Sequence, residues 1–511
     1  MSSQDQKSVL DVEKTAQKYS SSDSIESDDV IVRQIDEESD LEVRYRTCSW
    51  QKTAALLFSE YICLAVLSFP WSYSVLGLVP GILVTVGVAL ICLYTSLVLG
   101  RYCLKYPELR DICDIGRKLF GGSVVAYNIT CVFFILNNTF IQALHVLVGA
   151  KLLNTLSDSS RCTVVFGVVS AIICFMFTLP RTLSQLSYIG IFSAVTMGLA
   201  VLLAIIFAGV QSHPAEYISG AEPIVTAFPV AGTNYVSGMS AFLNITYTFV
   251  GQAAIPSFIA EMRNPKEFPK ALWAVTIAEI ITFTLCGALM YRFVGNQYMT
   301  APAFGSLQPV LKKIAFSFAL PTIVFLGALY SSVTARFIFF RLFKGSKHLN
   351  GNSVVAWSTW TGIIAATWVL AFIIAQVIPF FSDMLSLMSS LFDGWFGFIF
   401  WAMAYLHLNP GKAKWNGTLK SLETLLNYFF ILLGVYVLVA GTYTSIQSII
   451  DSYAANHSFP GVALCDNPNT PSPSRGGLHT VRNTSSDGSP LPDAASGKKS
   501  PSAARCVEGK C

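Results

Sequence analysis

Charged residues are scarce in this chain of 511 residues. Asp, Glu, Lys and Arg make up 13% of it, about half the share that soluble domains carry. Hydrophobic residues make up 53%, and they gather in runs long enough to cross a hydrocarbon layer of about 30 Å. This composition excludes a soluble globular protein and indicates a polytopic membrane protein. The net charge of +4 says little in such a protein, because the positions of the basic residues matter more.

Sequence signatures of catalysis and of metal binding are also lacking. The chain contains no HExxH, no GxSxG and no phosphate-binding glycine loop. Its twelve cysteines show no metal-ligand spacing, and most lie inside apolar runs, which indicates small buried side chains rather than a disulfide framework. We therefore expect no enzymatic activity, no catalytic residue, no metal, no cofactor and no nucleic-acid partner. The expected partners are membrane lipid and a small-molecule substrate, and nothing in the sequence indicates an oligomeric state.

The two ends of the chain lack the apolar runs of the middle. Residues 1–46 are rich in serine and acidic residues, without the apolar core of a cleavable signal peptide. A segment of this kind cannot bury enough apolar surface to fold alone. Residues 451–511 are rich in proline, glycine and serine. The sequence therefore predicts two disordered tails around a transmembrane domain that covers residues 47–450.

Between the tails, the apolar runs predict an all-α domain of eleven transmembrane helices. The predicted spans are residues 54–78, 81–104, 124–153, 163–179, 186–210, 238–259, 271–294, 314–340, 354–378, 384–408 and 425–450. Lysine and arginine are concentrated in alternate connections between these spans. Basic connections are cytoplasmic by the positive-inside rule, so we expect the N-terminus to be cytoplasmic and the C-terminal tail to lie on the other side.

Two of the predicted spans contain signals that interrupt a helix. Pro70 lies in the first span together with the carboxyl group of Glu60, and Gly251 and Pro256 lie in the sixth. Interrupted spans at corresponding places in two halves are typical of transporters built from inverted repeats, which bind their substrate at the breaks. The sequence therefore predicts two five-helix repeats, about residues 54–210 and 237–408, and an added helix at about 425–450. For the first span, an ordinary kinked helix with Glu60 at the headgroup level is the alternative.

The residues around both breaks resemble a known family. The segments SEYICLAVLSFPWSYSVLGLVPG and FVGQAAIPSFIAEMRNPKEFPKAL resemble the amino acid/auxin permease family of the amino acid–polyamine–organocation superfamily. The second is similar to the sixth-helix signature of its fungal neutral amino-acid permeases, and the similarity runs from about residue 47 to 450. It implies the leucine-transporter fold, import of neutral amino acids and coupling to a proton. The chain departs from the family at Cys63, Leu64 and Ala65, where glycines and a serine are common, which leaves the size of the accepted side chain open.

Two broken helices suit an amino acid because they leave backbone amides and backbone carbonyls without partners inside a helix. Amides are free at half-helix N-termini and can meet a carboxylate, and carbonyls are free at C-terminal ends and can meet an ammonium group. The residues predicted to bind substrate are Ile62, Cys63, Leu64, Ala65 and Val66 in the first break, Asn138 in the third span, and Phe249, Val250, Gly251 and Gln252 in the sixth. Plain packing between helices is the alternative for each aromatic or amide side chain.

Glu60 is the first candidate for proton coupling, because a carboxyl group at membrane depth can take up a proton on one side and release it on the other. Its rivals are Glu279, Asp383, Asp393 and His145. Ser331 and Ser332 form a candidate ion site, since sodium-coupled relatives bind their ion there, although we expect sodium less than a proton. Close packing of small residues is the alternative for these serines.

Together these features predict a secondary active transporter. We expect it to import neutral aliphatic or aromatic amino acids by proton symport with alternating access, in the plasma membrane. The alternatives are a non-transporting amino-acid sensor of the same fold, an amino-acid carrier of the vacuolar membrane, and a channel, because pores also use broken helices.

Overall fold

The computed structural model of this protein describes residues 48–455 except residues 110, 182–185, 344–345, 347, 349–352 and 416. The predicted N-terminal tail lies outside the described residues, as does the C-terminal tail from residue 456. The last helix continues to Ala455, so residues 451–455, which the sequence assigned to a disordered tail, are helical. The described residues belong to one unit whose core is mainly apolar and contains buried polar side chains.

Helices account for nearly all of the described chain. They are α1 (Trp50–Tyr61), α2 (Phe69–Leu76), α3 (Leu78–Lys105), α4 (Ile112–Leu119), α5 (Val124–Leu156), α6 (Thr163–Thr178), α7 (Leu186–Val210), α8 (Tyr235–Phe249), α9 (Ile255–Glu261), α10 (Phe268–Tyr298), α11 (Pro309–Leu342), α12 (Val354–Val377), α13 (Phe381–Met388), α14 (Phe400–Leu408), α15 (Thr418–Tyr436) and α16 (Thr442–Ala455). Short 3₁₀ turns cover Leu64–Ser68, Pro265–Glu267, Ala303–Ser306 and Gly411–Trp415, and π-helical turns cover Ser389–Ile399 and Val437–Gly441.

The helices confirm a polytopic membrane fold. Within the described residues, 8 helices are long and apolar enough to cross a membrane, or up to 9 when a bent pair is counted as one span. That pair is the first predicted span, in which Trp50–Tyr61 meets Leu64–Leu76 at 45°. The fourth predicted span is the shorter helix α6, and the sixth is divided into α8 and α9. The count of eleven spans and the five-plus-five repeat stay predictions.

Both broken spans place their proline in the same way. In the first span, α1 ends at Tyr61, Ile62 and Cys63 leave helical geometry, and Pro70 stands in the first turn of α2. In the sixth span, the helix is interrupted after Phe249, and Pro256 stands in the first turn of α9. Each proline therefore lies in the second half of its span, after the non-helical residues, and in the first span the 3₁₀ turn Leu64–Ser68 stands between them. The first turn tolerates proline because an amide there has no partner within the helix.

Aromatic side chains hold the half-helices against each other. The ring centroids of Phe69 and Phe249 are 6.1 Å apart, and each lies 5.2–5.3 Å from that of Phe283 on α10. All three side chains are buried. Such edge-to-face and tilted aromatic pairs add about 0.5–1.5 kcal/mol each beyond burial. The cluster fixes α2 and α8 to α10, which positions the two breaks.

A short backbone pairing joins the start of the first span to the end of the sixth span. The amide of Cys48, just before α1, donates to the carbonyl of Glu261 at 3.1 Å, and the amide of Arg263 donates to the carbonyl of Cys48 at 2.9 Å. These two hydrogen bonds form an isolated parallel bridge between Cys48 and Met262. The start of the first span is therefore tied to the end of the sixth.

Gly77, between α2 and α3, provides a test of this packing. Its φ of 81° and ψ of 162° belong to a region that is essentially restricted to glycine, and a Cβ atom there would lie 2.5 Å from the carbonyl carbon of Phe228. We expect Gly77→Ala to lower the free energy of unfolding by about 3 kcal/mol, from strain and overpacking together. Thermal unfolding of the purified protein, followed by tryptophan fluorescence, measures the change.

Two glycines serve as matched controls for this substitution. Gly121 has a φ of 64° but open space around its Cβ position, so Gly121→Ala should cost only the strain of about 1–2 kcal/mol. Gly87 lies inside α3 without a neighbour within 4 Å, so Gly87→Ala should cost nothing. Equal destabilisation at positions 77 and 121 would contradict the close approach of Phe228.

Candidate functional site

The two breaks meet in the interior of the protein. Tyr61, the last residue of α1, lies against Gly251 in the second break, where a Cβ atom would be 2.6 Å from the tyrosine hydroxyl and from Cε1 of its ring. Only glycine permits this approach. The predicted substrate-binding segments, residues 62–66 and 249–252, are therefore brought together. Most of their side chains are buried, while Cys63, Val250 and Gly251 are half-buried.

Backbone amides of the first break are partly used within the break itself. The amide of Cys63 donates to the carbonyl of Tyr61 at 2.8 Å, and the amide of Val66 donates to the carbonyl of Cys63 at 3.3 Å. The amides of Leu64 and Ala65 start the 3₁₀ turn, where the first donors have no partner inside the helix. The backbone of Ala65 is, however, hydrogen-bonded to the thiol of Cys63.

The second break begins at the C-terminal end of the half-helix α8. The carbonyl of Gly251 accepts a hydrogen bond from the amide of Ala254 at 3.1 Å. The carbonyls at the end of α8, around Phe249 and Val250, lie at the C-terminal end of a half-helix, which carries partial negative charge. The contact of Tyr61 with Gly251 brings this end of α8 close to the first break.

Glu60 lies one residue before the contact and is held by a tyrosine. Its Oε1 atom accepts a hydrogen bond of 2.8 Å from the hydroxyl of Tyr330 on α11, while its Oε2 atom is shielded from solvent and has no partner. The hydroxyl of Tyr61 interacts electrostatically with both Glu60 and Glu279. Sequence reasoning missed Tyr61 and Tyr330, although a tyrosine directly after the membrane carboxyl group was a usable signal.

Ser331 and Ser332, the candidate ion site, directly follow Tyr330. The Ser331 hydroxyl lies 3.4 Å from the hydroxyl of Thr367, and the buried Ser332 hydroxyl has no partner. Tyr330, which binds the carboxyl group of Glu60, lies on the same helix as these serines. Among the residues that the structure describes, no group of three or more His, Cys, Asp or Glu side chains could hold a metal ion.

Asn138 belongs to a buried polar stripe on α5 that the sequence analysis recognised only in part. Asn138, Gln142 and His145 are each at most 2% exposed, and each has polar atoms without a hydrogen-bond partner. Their spacing of four and three residues places them on one face of the helix, which is the signal that would have revealed Gln142. His145 packs against Gly327 on α11, one turn from Tyr330.

The remaining predicted residues divide into two groups. Asp383 is satisfied, because its two oxygens accept hydrogen bonds of 2.7 Å from Ser448 and Ser452 on α16. Gln252, by contrast, donates to Thr95 at 3.2 Å, and its Oε1 atom has no partner. Glu279 and Asp393 are buried and also have an unpartnered oxygen each. The structure thus leaves unsatisfied polar atoms near the breaks.

Comparisons with known proteins cover almost the whole described chain. Residues 46–447 match the model of a family described as transmembrane amino acid transporter protein. The chain is 34% identical over 412 residues to the N amino acid transport system protein of Neurospora crassa, which covers 80% of this chain and 87% of that protein. It is 30% identical over 414 residues to a transmembrane transporter of Gibberella moniliformis, covering 79% of this chain and 84% of that protein.

More distant similarities were also found. The amino acid transporter AVT1J of Arabidopsis thaliana is 22% identical over 451 residues, which is 84% of this chain and 98% of that protein. Among solved structures, the chain is similar to Mhp1, a nucleobase-cation-symport-1 family transporter, with a TM-score of 0.47 and 14% identity over 80% of this chain and 94% of that one.

The contact between Tyr61 and Gly251 can be tested by substitution. Gly251→Ala places a methyl group inside the van der Waals radius of the Tyr61 ring, and overpacking of this kind costs about 1–3 kcal/mol. We expect a lower unfolding temperature for Gly251→Ala and no change for Gly238→Ala, because Gly238 on α8 has no neighbour within 4 Å of its Cβ position.

A double-mutant cycle shows whether Tyr61 causes the loss. In a Tyr61→Ala background, the added methyl group has room, so Gly251→Ala should cost little or nothing. An unchanged cost in that background would mean that the two breaks do not touch.

Proposed function

Because this chain belongs to the transmembrane amino acid transporter family, we propose that it is a secondary active transporter that carries neutral amino acids across the membrane together with protons. The observation that carries this proposal is the meeting of two broken helices at Tyr61 and Gly251. Irregular backbone at membrane depth is tolerated only where it is buried in protein or lines a cavity. Two such breaks in contact supply free amides and free carbonyls to one zwitterionic ligand.

The side chains around the breaks favour a neutral substrate. Apolar residues dominate the contact: Ile62, Leu64, Ala65, Val66, Phe69, Phe249 and Phe283 are buried there. A charged substrate side chain would need a paired countercharge in this environment. Aliphatic or aromatic side chains instead gain free energy from burial against these residues, at about 25 cal/mol per Å².

The pair of Glu60 and Tyr330 supports proton coupling. A carboxylate at membrane depth is costly, while a protonated carboxyl group is neutral and can cross with a moving helix. Tyr330 holds one oxygen of Glu60 from a different span, and the other oxygen is unpartnered, so a proton can bind there. Because Glu60 lies one residue before Tyr61, gain or loss of that proton acts directly on the contact between the breaks. This is how proton binding and alternating access would be coupled.

The proposal includes a membrane arrangement. We place the N-terminus and the basic connections on the cytoplasmic side, with eleven spans in two repeats of five and one added helix. The plasma membrane is the proposed location, so that transport is import, and the vacuolar membrane is the alternative. Both locations use the same site and the same coupling ion.

Uptake into liposomes tests the function as a whole. Purified protein should accumulate labelled neutral amino acids when the outside is more acidic, and a protonophore should abolish the accumulation. A sodium gradient alone should not drive it. Binding of amino acids without any flux would indicate a sensor instead, and flux that does not saturate would indicate a channel.

Glu60→Gln tests the coupling residue. Glutamine keeps the shape of the side chain but cannot bind a proton, so we expect accumulation driven by a pH gradient to fall about tenfold or more, a change equivalent to about 1.4 kcal/mol. Exchange of substrate between the two sides, which needs no net proton movement, should persist. Undiminished proton-driven accumulation by Glu60→Gln would refute the assignment.

Two further variants complete that experiment. Tyr330→Phe removes a hydrogen bond to the carboxyl group, worth about 1–3 kcal/mol, and should reduce proton-driven uptake less than Glu60→Gln does. Glu267→Gln is the matched control, since Glu267 lies at the surface in an ion pair of 2.8 Å with Lys270. It should transport as the unmodified protein does.

A further inference from the structure

The side chain of Gln252 in the second break is buried and only partly satisfied. Gln252 lies between Gly251, which contacts Tyr61, and the start of α9 at Ile255, and it is 0% exposed. Its Nε2 atom donates to the hydroxyl of Thr95 on α3 at 3.2 Å, whereas its Oε1 atom has no hydrogen-bond partner among the described residues. A buried acceptor without a donor destabilises the protein, so a ligand that supplies a donor is favoured here.

Thr95 determines which end of the carboxamide is left without a partner. Its hydroxyl donates to the backbone carbonyl of Cys92, one turn earlier on α3, at 3.1 Å. A hydroxyl has one proton and two lone pairs, so the Thr95 oxygen can only accept from Gln252. The side chain of Cys92 is hydrogen-bonded to Gln252 as well, and because Oε1 has no partner, that contact also belongs to the amide nitrogen. Both amide protons are thus used on α3, and the carbonyl oxygen is left as a fixed acceptor.

An ammonium group fits this acceptor better than the other groups of an amino acid do. Gln252 follows the C-terminal end of α8 by three residues, and such an end carries partial negative charge. A carboxylate has no donor and would be repelled by both the helix end and the amide oxygen. A carboxamide is not a titratable group, so a proton alone cannot take this place. An ammonium group carries three donors and a positive charge, which satisfies the oxygen and suits the helix end.

We propose that the Oε1 atom of Gln252 accepts a hydrogen bond from the ammonium group of the amino-acid substrate, and that Thr95 is the positioning residue that holds the carboxamide in this orientation. The inference rests on the proposed function, because it names the group of the substrate that Gln252 binds. All amino acids share this group, so the contact contributes to affinity whatever the substrate side chain is. An N-methylated amino acid has one donor fewer and a bulkier nitrogen, so the site is specific for a primary ammonium group.

Binding of labelled neutral amino acids to the purified full-length protein tests the contact. Gln252→Leu removes the acceptor, so we expect about tenfold weaker binding, which corresponds to about 1.4 kcal/mol. The loss should be equal for the smallest and the largest neutral amino acids that the unmodified protein binds, because they have the same ammonium group. A loss confined to large amino acids would overturn the proposal, since Gln252 would then line the pocket for the substrate side chain.

N-methylated substrates distinguish the ammonium end of the amino acid from its carboxylate end. The unmodified protein should bind an amino acid more tightly than the N-methyl derivative of the same amino acid. Gln252→Leu should reduce this preference, because the acceptor that distinguishes the two nitrogens is gone. A preference that is the same in both proteins would contradict a contact between Gln252 and the ammonium group.

Thr95→Val tests the positioning role, because valine keeps the shape of threonine and removes its hydroxyl. The carboxamide can then turn, so we expect a higher KM for uptake with an unchanged maximal rate, and Thr95→Ser should restore the KM. In a Gln252→Leu background, Thr95→Val should cause no further loss of affinity. Additive losses would show that Thr95 does not act through Gln252.

Thr85→Val is the matched control for this substitution. Thr85 lies on the same helix, is also 0% exposed, and is hydrogen-bonded to the hydroxyl of Tyr73 at 2.9 Å. Its loss removes a buried threonine hydroxyl of α3 without touching Gln252, so the affinity for amino acids should stay unchanged. An equal rise of the KM in Thr85→Val would mean that Thr95→Val acts through general damage to α3, and would overturn the positioning role.

The proposed function and this inference fail in different ways. If the unmodified protein binds no amino acid, the proposed function is wrong, and the ammonium contact is wrong with it. If the unmodified protein binds and transports neutral amino acids and both Gln252→Leu and Thr95→Val bind them as tightly, only the inference is wrong. Unfolding temperatures show which variants are folded, and the nearly isosteric Thr95→Val supplies the test if Gln252→Leu does not fold.

Discussion

The contact between the Tyr61 ring and the backbone of Gly251 is the constraint on which the rest of this structure depends. A break in a transmembrane helix exposes polar backbone that lipid cannot satisfy. Here each break is covered by the other, and the approach is possible only because position 251 has no side chain. The aromatic cluster of Phe69, Phe249 and Phe283 holds the half-helices in place on both sides of this contact. The bridge between Cys48 and Met262 joins the start of the first span to the end of the sixth. A movement of one broken span must therefore move the other.

The positions of the prolines explain how each span contains a break while both of its halves remain helical. Pro70 and Pro256 each stand in the first turn of a half-helix, where the missing amide costs no hydrogen bond. The non-helical residues lie several positions before the proline, at Ile62 and Cys63 in the first span and at Val250 and Gly251 in the sixth. Sequence reasoning took Pro70, Gly251 and Pro256 as the signals of the breaks and placed the open backbone at residues 62–66 and 249–252, before both prolines.

Apolar length and turn chemistry predicted the long helices within a few residues, because both signals are local in the sequence. Contacts between spans were not predictable in this way. Glu60 and Tyr330 are 270 residues apart, and Thr95 and Gln252 are 157 apart, so a single sequence contains no signal that pairs them. The polar stripe of Asn138, Gln142 and His145 was only partly predicted from the sequence. Its spacing is local and visible in the sequence, where Asn138 and His145 were given separate roles and Gln142 was not named.

Asp383 and Asp393 show how the structure separates groups that stabilise the fold from groups that remain available to a ligand. Both are buried acids in the segment Phe381–Leu408. Both oxygens of Asp383 accept hydrogen bonds from serines of the last helix. These bonds hold α13 against α16. Asp393 lies in a π-helical turn, a geometry that is frequent at functional sites, and retains an oxygen without a partner. An unsatisfied buried polar group costs about 1–3 kcal/mol. A ligand or a proton that binds at the unpaired oxygen of Asp393 would offset this cost.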